Sequence, residues 1–324
     1  MGMEVNGRKL LRQKFGQAFN EPLYAWVVEG RSASHCIWSL ARRAVVQMNG
    51  TPIANTDGLL HHFTTHTAFQ SILGAGELWL TDYRCLNDPN EIRHGLSVAG
   101  DTLAEFENEL VPEARHLLRS AVGAPLPRHV FVACFSLLCD SPMHWREYAA
   151  KEGVAIGFEP SGFRELVAAD IRAINLTRVA YELAIKKGLF LTMAVLLDEI
   201  LRFDLDRGFF NHDAYQAESQ QFLAELLPLC KEEKFEPEHE VRLLVVPALS
   251  MTQVAAPVRQ RERCTSKTIM EFIGTRDLSR DFVLPIAKFV VGPNADDATL
   301  HSVREWAGRK GVAVHRSANA LPRA

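Results

Sequence analysis

Three short segments carry side chains that could do chemistry together. His62-Phe63-Thr64 sets an imidazole and a hydroxyl two positions apart, on one face if LLHHFTT is a strand. Ser136 stands near the end of the apolar run HVFVACFSL, and Trp145 and Tyr148 follow at i, i+3, so a helix there presents both rings on one side. Glu238-His239-Glu240-Val241-Arg242 opens the run LLVV. If the strand has begun there, Glu238, Glu240 and Arg242 share a face. Each segment also has a plainer explanation. A strand histidine is commonly a satisfied core or surface group, an aromatic pair is commonly core, and an arginine among glutamates is commonly an ion-paired sheet edge. The chemical reading is an imidazole that both donates and accepts, an aromatic platform for a flat ring, and a carboxylate fixed in place by a guanidinium.

Other chemistries lack their signposts. No G-x-G-x-x-G follows a strand, and Gly74-Ala75-Gly76 ends a helix rather than opening one. There is no G-x-x-x-x-G-K-[ST], no H-E-x-x-H, no G-x-S-x-G and no C-x-x-C pair. His61 and His62 are neighbours on a strand and point opposite ways, which makes a poor metal site.

The elements that must position these groups alternate unevenly. LLHHFTT is a strand, and Thr67 to Leu73 a helix ended by Gly74 and Gly76. ELWLTD is a second strand, and Asn87 or Asp88 with Pro89 reads as a helix start. Ser97 to Ser120 is helical, HVFVACFSL is a strand, and Ser141 caps a helix that opens at Pro142. GVAIGFEP, EHEVRLLVVP, IAKFVVGP and VAVHRSA read as further strands, with a capped helix over DDATLHSVREWAGRKG. Residues 161–230, rich in Leu, Ala and Glu, read as a helical insertion. Residues 1–57 are an N-terminal extension with helix-like pieces at Lys9 to Phe19 and Cys36 to Gln47. The sum is α+β, without the regular alternation of a doubly wound fold.

Composition bounds the rest. The chain has 324 residues with 36 Lys+Arg against 39 Asp+Glu, a formal charge of −3 that exerts no whole-chain pull toward nucleic acid or an anionic membrane. Its 47% hydrophobic residues exclude a mostly disordered protein. Six scattered cysteines read as reduced thiols of a cytoplasmic protein. Residues 1–19 lack the apolar run of a secretory signal, and Leu189 to Leu197 is too short to cross a bilayer and reads as a buried helix.

In their order these segments resemble a bacterial domain-of-unknown-function family, number twenty-nine seventy-one. The resemblance lies in HHFTT…ILGAGELWLTDYRCLNDPNE, CFSLLCDSPMHWREYAAKEGVAIGF, KFEPEHEVRLLV and the final IAKFVVGPNADDATLHSVREWAGRKGVAVHRSA, across residues 59–318. More distantly, His-x-Thr on a first strand, aromatics after a middle strand and E-x-E on a late strand are similar to the parts of NAD-dependent ADP-ribosyltransferases. That resemblance implies a split, curved pair of small β-sheets with flanking helices over residues 58–324, with NAD as substrate. It implies that His62, with Thr64 beside it, holds the ribose and nicotinamide, that Tyr148 or Trp145 stacks on the nicotinamide, and that Ser136 is the middle-strand polar group. Glu240, or its neighbour Glu238, is then the catalytic carboxylate, with Arg242 fixing it. It also implies ADP-ribose transfer to a nucleic acid or protein, or hydrolysis, by a toxin or anti-phage effector with an antitoxin or regulatory partner. A non-catalytic nucleotide- or partner-binding module on the same scaffold is the competing expectation.

Overall fold

The computed structural model describes residues 57–86, 90–125, 130–150, 152–163, 173–246, 258–262 and 269–319. Among these residues are ten strands: β1 Leu60–Thr64, β2 Trp79–Asp82, β3 Phe131–Ser136, β4 Val154–Phe158, β5 Ala173–Arg178, β6 Glu240–Val246, β7 Arg259–Glu262, β8 Ile269–Gly274, β9 Ile286–Val291 and β10 Ala313–Arg316. The helices are α1 His66–Ala75, α2 Glu91–Phe106, α3 Pro112–Gly123, α4 Pro142–Glu147, α5 Leu183–Arg207, α6 His212–Leu226, α7 Thr275–Leu278 and α8 Asp297–Lys310. The extension's two helix-like pieces and the Asn87-Asp88-Pro89 helix start lie outside the described residues.

The chain forms two compact units. Among the described residues, the helical unit takes 90–125 and 182–230, and the sheet unit takes the rest. In the helical unit α5 is buried along its apolar run, with Leu189, Met193, Leu196, Leu197 and Leu201 all closed to solvent. Gly208 ends α5 in the left-handed region, and the Asn211 side chain accepts from the Ala214 N–H to start α6. Gly95 lets α2 approach Leu227 closely, since a Cβ there would lie 3.2 Å from the Leu227 carbonyl.

The sheet unit is α+β, with a mixed sheet ordered β10-β9-β4-β1-β3-β2-β8-β7 and β5-β6 added through β3. Among the described strands, β9 and β10 are the pair that runs parallel. The branch is at β3. One of its edges pairs with β6 along the whole strand, from Phe131↔Val245 to Ser136↔Glu240. The other edge is divided: β2 takes Phe131 and Val132, and β1 takes Ser136 alone. Phe131, Ala133, Phe135, Ile156, Phe158, Val241, Leu243 and Phe289 face one way into the main core. On the opposite face Phe63, Ala155 and Val290 pack beneath Trp145 and Ala149 of the α4 region.

The structure corrects the reading of residues 161–230. Ala173–Arg178 is a strand, paired with β6 from Ala173↔Val246 to Arg178↔Val241, so the helical excursion starts at Glu182 and not at residue 161. Helical residues on its C-terminal side hid a segment whose Ile174, Thr177 and Val179 favour extended backbone. The helical unit also draws on residues 90–125, so the single domain expected over 58–324 is two units.

Candidate functional site

Strand β6 begins at Glu240, two residues later than the shared face of Glu238, Glu240 and Arg242 requires. Glu238 closes a 3-10 turn, Glu233–Glu238, and His239 follows with φ 44° and ψ 49°, the left-handed region for a residue with a Cβ. That turn, rather than strand pleat, brings the two carboxylates together. Non-glycine residues in this conformation cost about 1–2 kcal/mol and persist where the surroundings over-determine them. Here the His239 carbonyl accepts from Leu137 N–H at 3.1 Å, just past the end of β3.

Both carboxylates meet Lys231. Its ammonium bonds Glu238 and lies 3.0 Å from Glu240 Oε2. Arg242 grips Glu240 in a fork, Nε to Oε1 at 2.8 Å and Nη2 to Oε2 at 3.0 Å. Tyr148 donates its hydroxyl proton to Glu238 Oε1 at 2.9 Å. Glu238, Glu240, Lys231 and Arg242 are each no more than 6% exposed. Burial opposes ionisation of Glu240, but Arg242 and Lys231 outweigh it and hold the carboxyl at about 2. Glu240 is therefore a fixed anion at neutral pH. Burial, with Glu238 beside it, pushes the Tyr148 phenol up, so it stays a donor.

His144, on α4, stacks on Phe63 at 4.7 Å. Burial pushes its imidazole down to about 4, so it is neutral, and its Nδ1 is buried without a hydrogen-bond partner. Ser136 spends its hydroxyl on the main chain, donating to the Glu238 carbonyl at 2.8 Å and accepting from Leu138 N–H at 3.0 Å. It ties the Glu238 turn to β3. Trp145 is fully buried with its Nε1 proton on Asp140 Oδ1 at 2.6 Å, whereas Tyr148 is half-buried.

His62 is half-buried and stands apart from the acidic cluster. By register it is His61 that is level with Ser136 and Glu240, so His62 turns toward Phe135, at 6.2 Å between ring centroids. Its Nδ1–H donates to the Cys134 carbonyl at 3.0 Å, on the length of β3 edge that neither β1 nor β2 takes. Burial lowers its pKa, opposed by that bond, so the ring is neutral. His62 shares a face with Leu60, Phe135 and Ile156, whereas Glu240 shares the opposite face with Ser136 and His61, so the imidazole and the carboxylate are not brought together on one side of the sheet. Thr64, farther along β1, is buried and distant in register from Ser136.

A polar row that the sequence did not single out crosses the branch: Glu240↔Ser136↔His61↔Gly157↔Lys288. Asp57 lies at its far end, bonding Lys288 and accepting from His61 Nε2 at 3.0 Å. Gly157 makes room there, since a Cβ would meet His61 Cε1 at 3.1 Å and Lys288 Cγ at 3.0 Å. The signal was the first histidine of the His61-His62 pair, but its partner Lys288 is remote in sequence. Comparison of the chain with protein-family models, with curated proteins and with solved structures returns no match.

Proposed function

We propose that the protein binds NAD where its sheet divides at β3, breaks the nicotinamide–ribose bond, and passes ADP-ribose to a macromolecular acceptor or to water. The observation that carries this reading is Glu240, a buried carboxylate held in place by Arg242 and Lys231 where β6 meets the dividing strand β3, with Tyr148 on its neighbour Glu238. The strands form one ten-stranded sheet, but β1 and β3 meet at the single pair His61↔Ser136, a narrow join that supports the divided sheet the resemblance implies.

The chemistry suits these residues. Loss of nicotinamide builds positive charge on the ribose, as in glycoside cleavage. A carboxylate that is ionised and immobile stabilises that charge, and one preorganised group of this kind is worth about 3–4 kcal/mol. Glu240 takes that role, Arg242 positions it, and Glu238 stands beside it. His62, on the opposite face, is a positioning residue that holds the Cys134 carbonyl of β3, and the Tyr148 ring can orient a nicotinamide. The leaving group departs neutral, so no strong general acid is needed.

One observation favours a second reading. Both Glu240 oxygens already meet cations, so the pair Glu240–Arg242 could serve the fold alone, on a module that binds a nucleotide or partner without turnover. Incubation with NAD, following free nicotinamide with and without cell extract, separates the two. The enzyme reading expects release that is lost in both His62→Ala and Glu240→Gln, with circular dichroism unchanged. Release needing extract identifies an acceptor, and release without it identifies hydrolysis. Full turnover in both variants overturns the enzyme reading.

A further inference from the structure

The acidic pair is enclosed by groups that suit an organic cation. Glu238 and Glu240 supply negative charge, and the Lys231 ammonium lies 4.8 Å from the centre of the Phe235 ring. Tyr148 reaches the same place through its hydroxyl on Glu238. Carboxylates with aromatic faces recognise ammonium and pyridinium groups. In this structure the cation at that place is the chain's own.

The two cations differ in their freedom to leave. Arg242 is 1% exposed, sits within the β6 ladder between β3 and β5, and is bidentate on a carboxylate two residues away. Lys231 lies outside the regular strands, on a long flexible stem, and is followed by exposed Glu233 and Lys234. Its backbone is nonetheless anchored: Lys231 N–H donates to the Ala180 carbonyl at 3.1 Å, and the Tyr181 hydroxyl accepts from Glu240 N–H at 2.9 Å. The side chain can swing while its main chain stays in place. With the ammonium between them, two glutamates and two cations balance. Without it, the pair with Arg242 keeps one net negative charge in a buried place.

We propose that Glu238, Glu240, Phe235 and Tyr148 form a site for an organic cation of the pyridinium type, which Lys231 occupies as an internal stand-in and must vacate for the ligand to enter. The inference deepens the NAD reading in naming the oxidised nicotinamide ring as the natural cation, and it makes Lys231 an autoinhibitory contact.

The test uses the full chain and two small probes, the cation 1-methylnicotinamide and neutral nicotinamide. Lys231→Met is expected to bind the cation about tenfold more tightly than the unaltered protein, with the neutral probe unchanged. Equal affinity for the cation, or a gain shared by the neutral probe, overturns the proposal. If Lys231→Met does not fold, Lys231→Gln and amine acylation of the unaltered protein, read by mass spectrometry, decide. Lys231 is expected to be protected alone and with NADH, whose ring is uncharged, and acylated with 1-methylnicotinamide or NAD. Unchanged acylation up to the highest soluble concentration of the cation also overturns it. Cation binding without nicotinamide release from NAD would sink the enzyme reading and leave this one standing.

Discussion

Buried carboxylates of the chain are held in two ways. In the helical unit Asp198 and Asp204 stand apart, and each completes a local structure. Asp198 accepts from the Val111 N–H at 2.6 Å, at the start of α3, and from Arg202 Nε at 2.9 Å. Asp204 accepts from the Tyr215 hydroxyl at 2.6 Å and ties α5 to α6. In the sheet unit Glu238 and Glu240 are held side by side on one lysine, after a residue in the left-handed region. Two like charges in one buried place are unfavourable and need bound cations, yet no helix start or turn requires both. The dispersed acids are explained by the fold. The convergent ones are neutralised by Lys231 and Arg242, and the proposed function rests on them.

The sharpest way to break this contrast is Glu240→Gln. It should lower nicotinamide release about 10²–10³-fold and, by leaving Arg242 partly uncompensated, cost about 3 kcal/mol in chemical denaturation. Release at the normal rate would place Glu240 with the dispersed acids. Acid titration of stability comes next. The Glu240 carboxyl sits at about 2 against an ordinary 4.5, so in that window the unfolded chain binds a proton that the folded chain refuses. Its contribution is full above about pH 4.5 and is shed as pH falls toward 2. His144, held at about 4 against 6.5, adds a loss between those values by the same sign. Urea midpoints measured against pH should lose the lower limb in Glu240→Gln and the upper one in His144→Phe.

Tyr215→Phe should cost about 1–3 kcal/mol by removing a donor from buried Asp204. Nicotinamide release per folded molecule should be unchanged; a fall would show that the helical acids also serve the site. The smallest effects come from two glycines. Gly157→Ala forces a methyl against His61 and Lys288 and should cost about 1 kcal/mol. Gly100→Ala in α2 meets nothing within 4 Å and should gain about 0.5–1 kcal/mol. Thermal melts of both variants read the difference in sign.

Much of this arrangement could be read from local pattern. The alternation of LLHHFTT gives β1, Gly76 in the left-handed region ends α1, and Asp296, accepting from Thr299 N–H, starts α8. Pro142 opens α4 where Ser141 precedes it. The apolar run in α5 is buried as its composition implied. Groups set by tertiary partners were not legible. Lys231 has no motif, and it becomes part of the site only because the chain returns beside Ala180. Asp57, His61 and Lys288 meet through strand register. β5 was hidden because its partner, β6, follows only after the whole excursion. The face shared by Glu238 and Glu240 was expected from period-two spacing and is produced instead by the turn at His239.

The join between Ala180 and Lys231 has a consequence for how the chain can be cut and rebuilt. The outgoing and returning backbones touch there, so Glu182–Cys230 begins and ends at almost one point. A segment with coincident ends can be lengthened, shortened or exchanged at little entropic penalty to what it leaves behind. Chimaeras spliced at these two positions would ask whether acceptor choice travels with the grafted piece while cleavage chemistry stays with the host.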